Sequence, residues 1–407
     1  MQSGCSVEDF PRQLFGAGIV AVLAATTRTR RTTLRMIPIL IFGEDWGRHN
    51  SGCQRITSEL LRQGHDITWV NTIGTRRPRI DRYTVRRGLG KLKQWCRHRQ
   101  QLSSELAPVI LSPLMWPSLH FPVERRLNSF VINAQIRKHI TRLSEPPIIV
   151  SKVPLPLELV DRLPARRWVY YCVDHIAEWP GSDHTALAEM ESNFIERADR
   201  IIVTSRELQE RLQRLGRQPV LLKHGVDLDL WQRPTDFQLP EYERPLIVFW
   251  GLIDRRIDQE IVRHLSENLD AGTILLLGPQ QMPPPGLLRI PHVAHHPAVD
   301  YVHLPSVGKS ADVLIMPYCR NELTRFMQPV KLTEYMATGK PVVVTSIPAT
   351  EEWRDSIFVA EHKEQFLMHV RQALECGLPD SHRKARQRLK QESWSAKAME
   401  FLEILGD

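Results

Sequence analysis

From Met36 onward the chain alternates short apolar runs with amphipathic stretches. The runs IPILIF (37–42), DITWVNT (66–72), PPIIVSK (146–152), RWVYYCVD (167–174), RIIVTS (200–205) and VLLKHGVD (220–227) are short and rich in β-branched residues, which predicts buried strands. Between them QRITSELLRQG (54–64), ALAEMESNFIERA (186–198) and RELQERLQRLG (206–216) repeat apolar positions at helical spacing, and two of them close on a glycine, Gly64 and Gly216. Strands that alternate with helices in this way build a parallel sheet with crossover helices. Residues 228–244, LDLWQRPTDFQLPEYER, have two prolines and no period, which predicts a linker.

A second set of the same kind follows. PLIVFWG (245–251), TILLLGP (273–279), ADVLIMPY (311–318) and PVVVT (341–345) are its strands, and IDQEIVRHLSENL (257–269) and VKLTEYMATG (330–339) are helical. The C-terminal 382–406 is strongly helical, as one helix or two. The chain therefore divides into an extension (1–35), a Rossmann-like domain (36–227), the linker (228–244), a second Rossmann-like domain (245–390) and a final helix (391–407). Two such halves enclose a cleft, and ligands of these sheets bind beyond the carboxyl ends of the strands, near helix N-termini.

Composition fits this division. The 407 residues are 42% apolar and 25% charged, as in a globular protein with two cores. No run approaches the roughly 18 apolar residues of a membrane span. The six cysteines (5, 53, 96, 172, 319, 376) are irregularly spaced with no CxxC, so neither a disulfide framework nor a zinc site is signalled, which suits a reducing cytosol.

Charge adds one feature. Residues 1–105 carry 18 Lys/Arg against 8 Asp/Glu, whereas the remainder carries 36 against 38. The densest part, 76–99, has ten basic residues and one acid. Such a stretch fits an anionic membrane surface, a phosphorylated acceptor or simply solvent; no nucleic-acid-binding pattern surrounds it, so no nucleic-acid partner is expected. At the extreme N-terminus the apolar AGIVAVLAA (17–25) precedes the basic RTRRTTLR (28–35), the reverse of a secretory signal, so 1–35 reads as a disordered extension from an upstream start codon.

Candidate chemistry centres on PVKLTEYMATGKPVVVT (329–345). Pro329 can start a helix that Gly339 and Pro341 end. Leu332, Tyr335 and Met336 form its buried face, with Lys331, Glu334 and Thr338 opposite. At such a helix start Lys331 adds a cation for a diphosphate, and Glu334 can accept from a ribose diol. The plain alternative is a solvated Lys–Glu pair, worth a few tenths of a kcal/mol. No His/Cys/carboxylate group has metal-ligand spacing, so no metal is expected: Asp227 and Asp229 read as turn and capping residues, and the adjacent His295 and His296 would point to opposite faces of a strand.

The order ADVLIMPY, NELT, P-x-K-x-x-EYMATGKPVVVT resembles the C-terminal half of retaining nucleotide-sugar glycosyltransferases of the two-Rossmann-domain GT-B fold (group 1, family 4-like). It is nearest to bacterial enzymes of teichuronic-acid and exopolysaccharide assembly. EDWGRHNSGCQRITSELLRQGHDITWVNTIG (44–74), VYYCVD (169–174), ERADRIIVTSRELQERL (196–212), HGVDLDLW (224–231) and FWGLIDRRID (249–258) agree with it. The resemblance implies a metal-independent, hexosyltransferase-like enzyme without a cofactor. Its donor would be a nucleoside-diphosphate sugar and its acceptor a hydroxyl, lipid-linked if 76–99 docks at the inner face of the cytoplasmic membrane. It places Gly251, Arg255, Arg256, Asn321, Glu322, Lys331 and Glu334 on the donor, with Glu334 as the second acid of an E-x7-E motif. Asp174, His175 and Lys331 are placed at the reacting centre, Gly47 and Gly52 in a phosphate or acceptor loop, and the C-terminal helix against the first domain. One position departs: the first acid of E-x7-E is Phe326, which cannot accept a hydrogen bond. Glu322 is the candidate to replace it. A nucleotide-sugar epimerase and a catalytically silent nucleotide-sugar-binding scaffold are the alternatives on the same fold.

Overall fold

The computed structural model describes residues 37–47, 51–72, 107–116, 119, 121–176, 184–233 and 235–406; the basic stretch 76–99 and the extension 1–35 lie outside them. Seven parallel strands form the first sheet, in the order β3-β2-β1-β4-β5-β6-β7. They are β1 (Ile39–Gly43), β2 (Ile67–Asn71), β3 (Val109–Leu111), β4 (Ile148–Ser151), β5 (Arg167–Cys172), β6 (Arg200–Val203) and β7 (Val220–Leu221). The second sheet has six parallel strands, β10-β9-β8-β11-β12-β13. These are β8 (Leu246–Trp250), β9 (Thr273–Leu277), β10 (Val293–His296), β11 (Val313–Met316), β12 (Val342–Thr345) and β13 (Phe358–Ala360).

The central strands are buried on both faces, which is why they read as unbroken apolar runs. Six helices matter for the site: α1 (Gly52–Arg62), α2 (Pro122–Ile140), α3 (Arg206–Arg214), α4 (Glu322–Phe326), α5 (Val330–Ala337) and α6 (Trp394–Gly406). Strands β3, β10 and β13 and helix α2 are elements that the apolar pattern does not announce.

The chain crosses between the sheets twice. After the second sheet it returns, and α6 packs along α1. Trp394, Ala398, Phe401 and Leu405 join Ile39, Ile56, Leu60 and Tyr171 in one core cluster, so the expected return of the C-terminal helix is present. Arg167 donates to the carbonyl of Leu405 at 3.0 Å, and Val226 pairs with Ser393 where the two crossings meet.

Phe326 has a role that its place in the motif does not suggest. It closes α4 of the second domain, yet its ring is buried in the core of the first, among Leu208 and Leu212 of α3. His175 meets it edge-on at 4.9 Å between ring centroids, and Ser205 Oγ donates to its carbonyl at 2.8 Å. Lys223 and Glu352 form an ion pair between the same two domains. The segment that carries Phe326 is thus a clasp between domains.

Removing that ring leaves a cavity at the domain interface, so Phe326→Ala should cost about 3 kcal/mol and Phe326→Leu less than half of that. Urea unfolding followed by tryptophan fluorescence checks the pair; equal midpoints for wild type and Phe326→Ala would remove the clasp from consideration.

Candidate active site

The carboxyl ends of both sheets open on one cleft of about 510 Å³. Its second-domain wall begins at the end of β8. Gly251 has φ +134°, and a Cβ there would lie 2.2 Å from Lys331 Nζ. The positive φ favours glycine at this position, and the absent side chain leaves room for the lysine to lie across the backbone. Lys331 comes from the first turn of α5, donates from Nζ to Tyr318 Oη at 2.7 Å, and sits 4.4 Å from the centroid of Phe249. Its ammonium therefore rests on a hydroxyl and two aromatic faces, a setting in which positive charge is only partly compensated. Arg256 lines the same wall with its guanidinium fixed on Asp254, Nε to Oδ1 at 2.9 Å.

Glu334 stands one turn along α5 from Lys331. Only 6% of it is exposed, and Tyr301 Oη donates to its Oε1 at 2.8 Å. Lys331 and Glu334 thus turn to different partners, unlike a solvated pair on one helix face. The face of α5 opposite its apolar stripe is also covered, because Tyr301 and the first domain close over it. Burial raises the Glu334 carboxyl above the ordinary glutamate range, and the hydrogen bond from Tyr301, the nearby Trp250 indole and the charges of Arg55 and Lys331 offset only part of that. Arg55 belongs to α1 of the first domain; its guanidinium lies 4.0 Å over the Tyr301 ring. Tyr301 packs edge-on against Trp231, which stacks on Trp250. Buried Glu334 is therefore held by aromatic residues of its own domain and roofed by an arginine of the other.

The first-domain wall is built from strand ends and from the start of α1. Ser51 caps that helix by accepting from the Gln54 amide, and Gly52 follows at the cleft surface. Lys152, after β4, pairs with Glu44, after β1, at 2.8 Å. Burial acts against both charges, but their attraction prevails, lowering the Glu44 carboxyl and raising the Lys152 ammonium. Asp174, after β5, and His224, after β7, complete this side. Cys53 also lines it, but burial pushes its thiol up to about 12, which leaves it inert as a nucleophile.

Of the residues singled out in the sequence, Gly52, Asp174, Gly251, Arg256, Lys331 and Glu334 meet in the cleft. The others lie outside it. Gly47 has φ +76° and gives its amide to Gln54 Oε1 at 3.0 Å, which makes it a turn residue. Arg255 is exposed. His175 faces the Phe326 clasp. Asn321 caps α4 by accepting from the Thr324 amide at 3.0 Å. Glu322, the candidate substitute for the missing acid, is exposed and pairs with Arg325 at 3.3 Å. Lys152, His224, Tyr301 and Tyr318 line the cleft without having been singled out, and Arg55 reaches it only by lying over the Tyr301 ring. A position just past an apolar run was the available signal for Lys152 and His224.

Among the described residues no group of three or more His, Cys, Asp or Glu is placed to hold a metal ion. Asp227 accepts from the Leu230 amide at 3.0 Å as a helix cap, and Asp229 faces solvent near Arg233.

Comparison with known proteins places this geometry. Residues 246–376 match the family of glycosyl transferases group 1. The putative teichuronic acid biosynthesis glycosyltransferase TuaH of Bacillus subtilis (strain 168) is 29% identical over 186 residues, 43% of this chain and 47% of its own length, so the match spans about half of that relative. Sucrose-phosphate synthase of Thermosynechococcus elongatus superposes with a TM-score of 0.67 at 16% identity, covering 90% of this chain and 98% of that one. HepE of Anabaena, in complex with UDP and glucose, does so at 0.64 and 13%, covering 91% and 99%. The chain therefore has the GT-B fold, and residues 246–376 of its second domain match the group 1 family. In this GT-B chain Lys331, Glu334, Gly251 and Arg256 all fall within the matched 246–376.

The raised Glu334 carboxyl has a measurable signature. Its folded value exceeds its unfolded one, so folding is penalised at pH above the folded value, and the penalty is relieved as pH falls through it toward the unfolded value. Urea midpoints of wild type and Glu334→Gln should converge as pH falls through that window. A constant gap would mean that Glu334 is not held as a buried carboxylate.

Proposed function

We propose that the protein transfers a sugar, with retention, from a nucleoside-diphosphate sugar to a hydroxyl acceptor in polysaccharide assembly. The observation that carries this reading is the Lys331–Gly251–Glu334 arrangement. A cation paired with no carboxylate among the described ion pairs lies over a side-chain-free strand end, one helical turn from a buried carboxylate. A diphosphate suits the first and a ribose diol the second. That the HepE structure holds UDP and glucose, and that TuaH is named for teichuronic acid synthesis, supports the same class of donor and product.

In this reading the diphosphate lies against the first turn of α5, with Lys331 and Arg256 as its cations. Both are fixed before the substrate arrives, Lys331 by Tyr318 and Arg256 by Asp254, so charge that grows on the leaving phosphate meets groups needing little reorganisation. Glu334 takes a ribose hydroxyl on the oxygen that Tyr301 leaves available. The transferred sugar then faces Asp174 and the acceptor enters along the first domain. Retention follows if the leaving phosphate oxygen takes the acceptor proton on the same face; this step rests on the family resemblance. The domains close over the reacting atoms and limit hydrolysis of the donor. No residue of this scheme requires a metal.

Free thiols at Cys53, Cys172, Cys319 and Cys376 support a reducing, cytoplasmic setting. Among the described residues no helix is long and apolar enough to cross a membrane. Contact with an anionic inner membrane face, and with a lipid-linked acceptor, is assigned to the basic stretch 76–99 on charge alone.

A thermal-shift panel of UDP-, GDP-, ADP- and dTDP-sugars should show stabilisation by at least one. Lys331→Ala should then weaken the bare nucleoside diphosphate by about tenfold to a hundredfold, the range of a charge-assisted contact, and Glu334→Ala should weaken the nucleoside as well. No response to any of the four donors would end the reading. Incubation of the donor alone separates the epimerase alternative, because an altered sugar without acceptor would identify it.

A further inference from the structure

Twelve large apolar side chains are exposed among the described residues, and seven of them fall between Val109 and Phe130. The other five are scattered over the rest of the chain, as isolated surface apolar residues ordinarily are. A cluster in one short stretch is different and marks a surface that something else covers.

It lies at one edge of the first sheet. β3 is the outermost strand, and the chain passes from it through Leu114 and Trp116 into α2. Ile132, Ile136 and Ile140 seal the inner side of α2 against the core. Val123, Leu127 and Phe130, at i, i+4 and i+7, form one row on its outer side and are 72%, 48% and 61% exposed. The same row ends on Arg137 and Lys138, both exposed. Trp116 is fixed at the start of the row. Asn128 exchanges two hydrogen bonds with its backbone, at 2.6 and 3.0 Å, and its indole Nε1 donates to Glu124 at 3.1 Å. Because the strand and helix of a crossover run in opposite directions, the apolar start of α2 lies at the carboxyl ends of the strands, the end on which the cleft opens.

Charge decides what can cover this face. Residues 109–142 carry five Lys/Arg and one acid, Glu124. Arg125 is held by Glu189 and Arg126 by Glu158, while Arg137, Lys138 and Arg142 are exposed. A second copy of the chain in a symmetric contact would set these cations against their own images. The stretch 76–99, with ten basic residues and one acid, is disfavoured as a cover by the same sign. The occupant that fits is apolar and anionic at once. An apolar row that starts beside a tryptophan and ends in cations suits a helix lying in the headgroup region of an anionic bilayer.

We propose that the outer side of α2, with Leu114 and Trp116, is the surface by which the protein docks on an anionic lipid bilayer. Val123, Leu127 and Phe130 enter the boundary between headgroups and acyl chains, and Arg137 and Lys138 meet the lipid phosphates. The surface includes no residue of the basic stretch 76–99 and does not depend on the sugar-transfer reading. For that reading it has one consequence: the cleft end of the first domain is brought to the membrane.

The test floats the full chain with vesicles of phosphatidylcholine alone and of equal parts phosphatidylcholine and phosphatidylglycerol. Wild type should bind the anionic vesicles about tenfold more tightly than the neutral ones. Leu127→Ser/Phe130→Ser should weaken binding to the anionic vesicles about tenfold or more. Leu215→Ser, an exposed apolar site after α3 at the opposite edge of the sheet, should leave it within about twofold. Arg137→Gln/Lys138→Gln should weaken the anionic vesicles about tenfold and the neutral ones hardly at all. Urea midpoints of the serine variants should match wild type, because the row is open to solvent in the free protein. A lowered midpoint would show the row covered by the chain itself, and wild-type dimers that the double serine substitution dissociates would show it covered by a second copy. Either result overturns the proposal. Vesicle binding that survives Leu127→Ser/Phe130→Ser unchanged would leave the membrane contact to 76–99 and overturn it too. So would a wild type that binds neither vesicle, a result without bearing on donor binding, which the nucleotide-sugar panel measures separately.

Discussion

The cleft depends on one steric constraint: position 251 carries no side chain. Lys331 Nζ occupies the volume that a Cβ would fill, and the +134° φ would strain any other residue. Because the ammonium can cross there, it reaches Tyr318 just past β11 from the start of α5 and brings that helix and the ends of the adjacent strands β8 and β11 to one point. Gly278 repeats the device one strand over, where a Cβ would strike the Gly251 carbonyl at 2.0 Å. Two stripped strand ends let the backbone lie close to the cleft floor, and the charge of one lysine is delivered there without an ion-pair partner among the described residues.

How much of this could be read beforehand followed physical range. Strands of four or more buried apolar residues were visible as such. β3 has three residues, none of them buried, and β13 has three; neither is long enough to stand out from a loop. Helix α2 is hidden for another reason. Ile132, Ile136 and Ile140 face the core while Val123, Leu127 and Phe130 face outward, so its apolar residues define no single stripe. In the cleft, Gly251, Lys331 and Glu334 were legible because local pattern puts them just beyond strands or in a first helical turn. Arg55, Tyr301 and His224 gain their meaning from partners far away in the chain, which no local spacing encodes. Neighbours in sequence also misled: Arg255 beside Arg256, and His175 beside Asp174, point away from the cleft that their partners line.

Position 326 shows how a motif position can be reassigned. An acid there would be solvated or would reach a ligand; a phenylalanine has the opposite demand and is driven to the nearest apolar surface, which belongs to the other domain. Once the ring is buried across the interface, the backbone around it is fixed by Ser205, and Met327 and Gln328 are carried to the cleft edge.

The return of α6 has a consequence for how the molecule is made. The core over α1 is completed by Trp394, Phe401 and Leu405, about 340 residues later in the chain. A nascent chain on the ribosome therefore holds the first sheet with one face only partly covered, by α1, through the synthesis of the entire second domain. The usual order, in which the N-terminal domain is finished first, is inverted. The second sheet, whose strands lie within about 115 consecutive residues, can close while its predecessor still waits for its last helix.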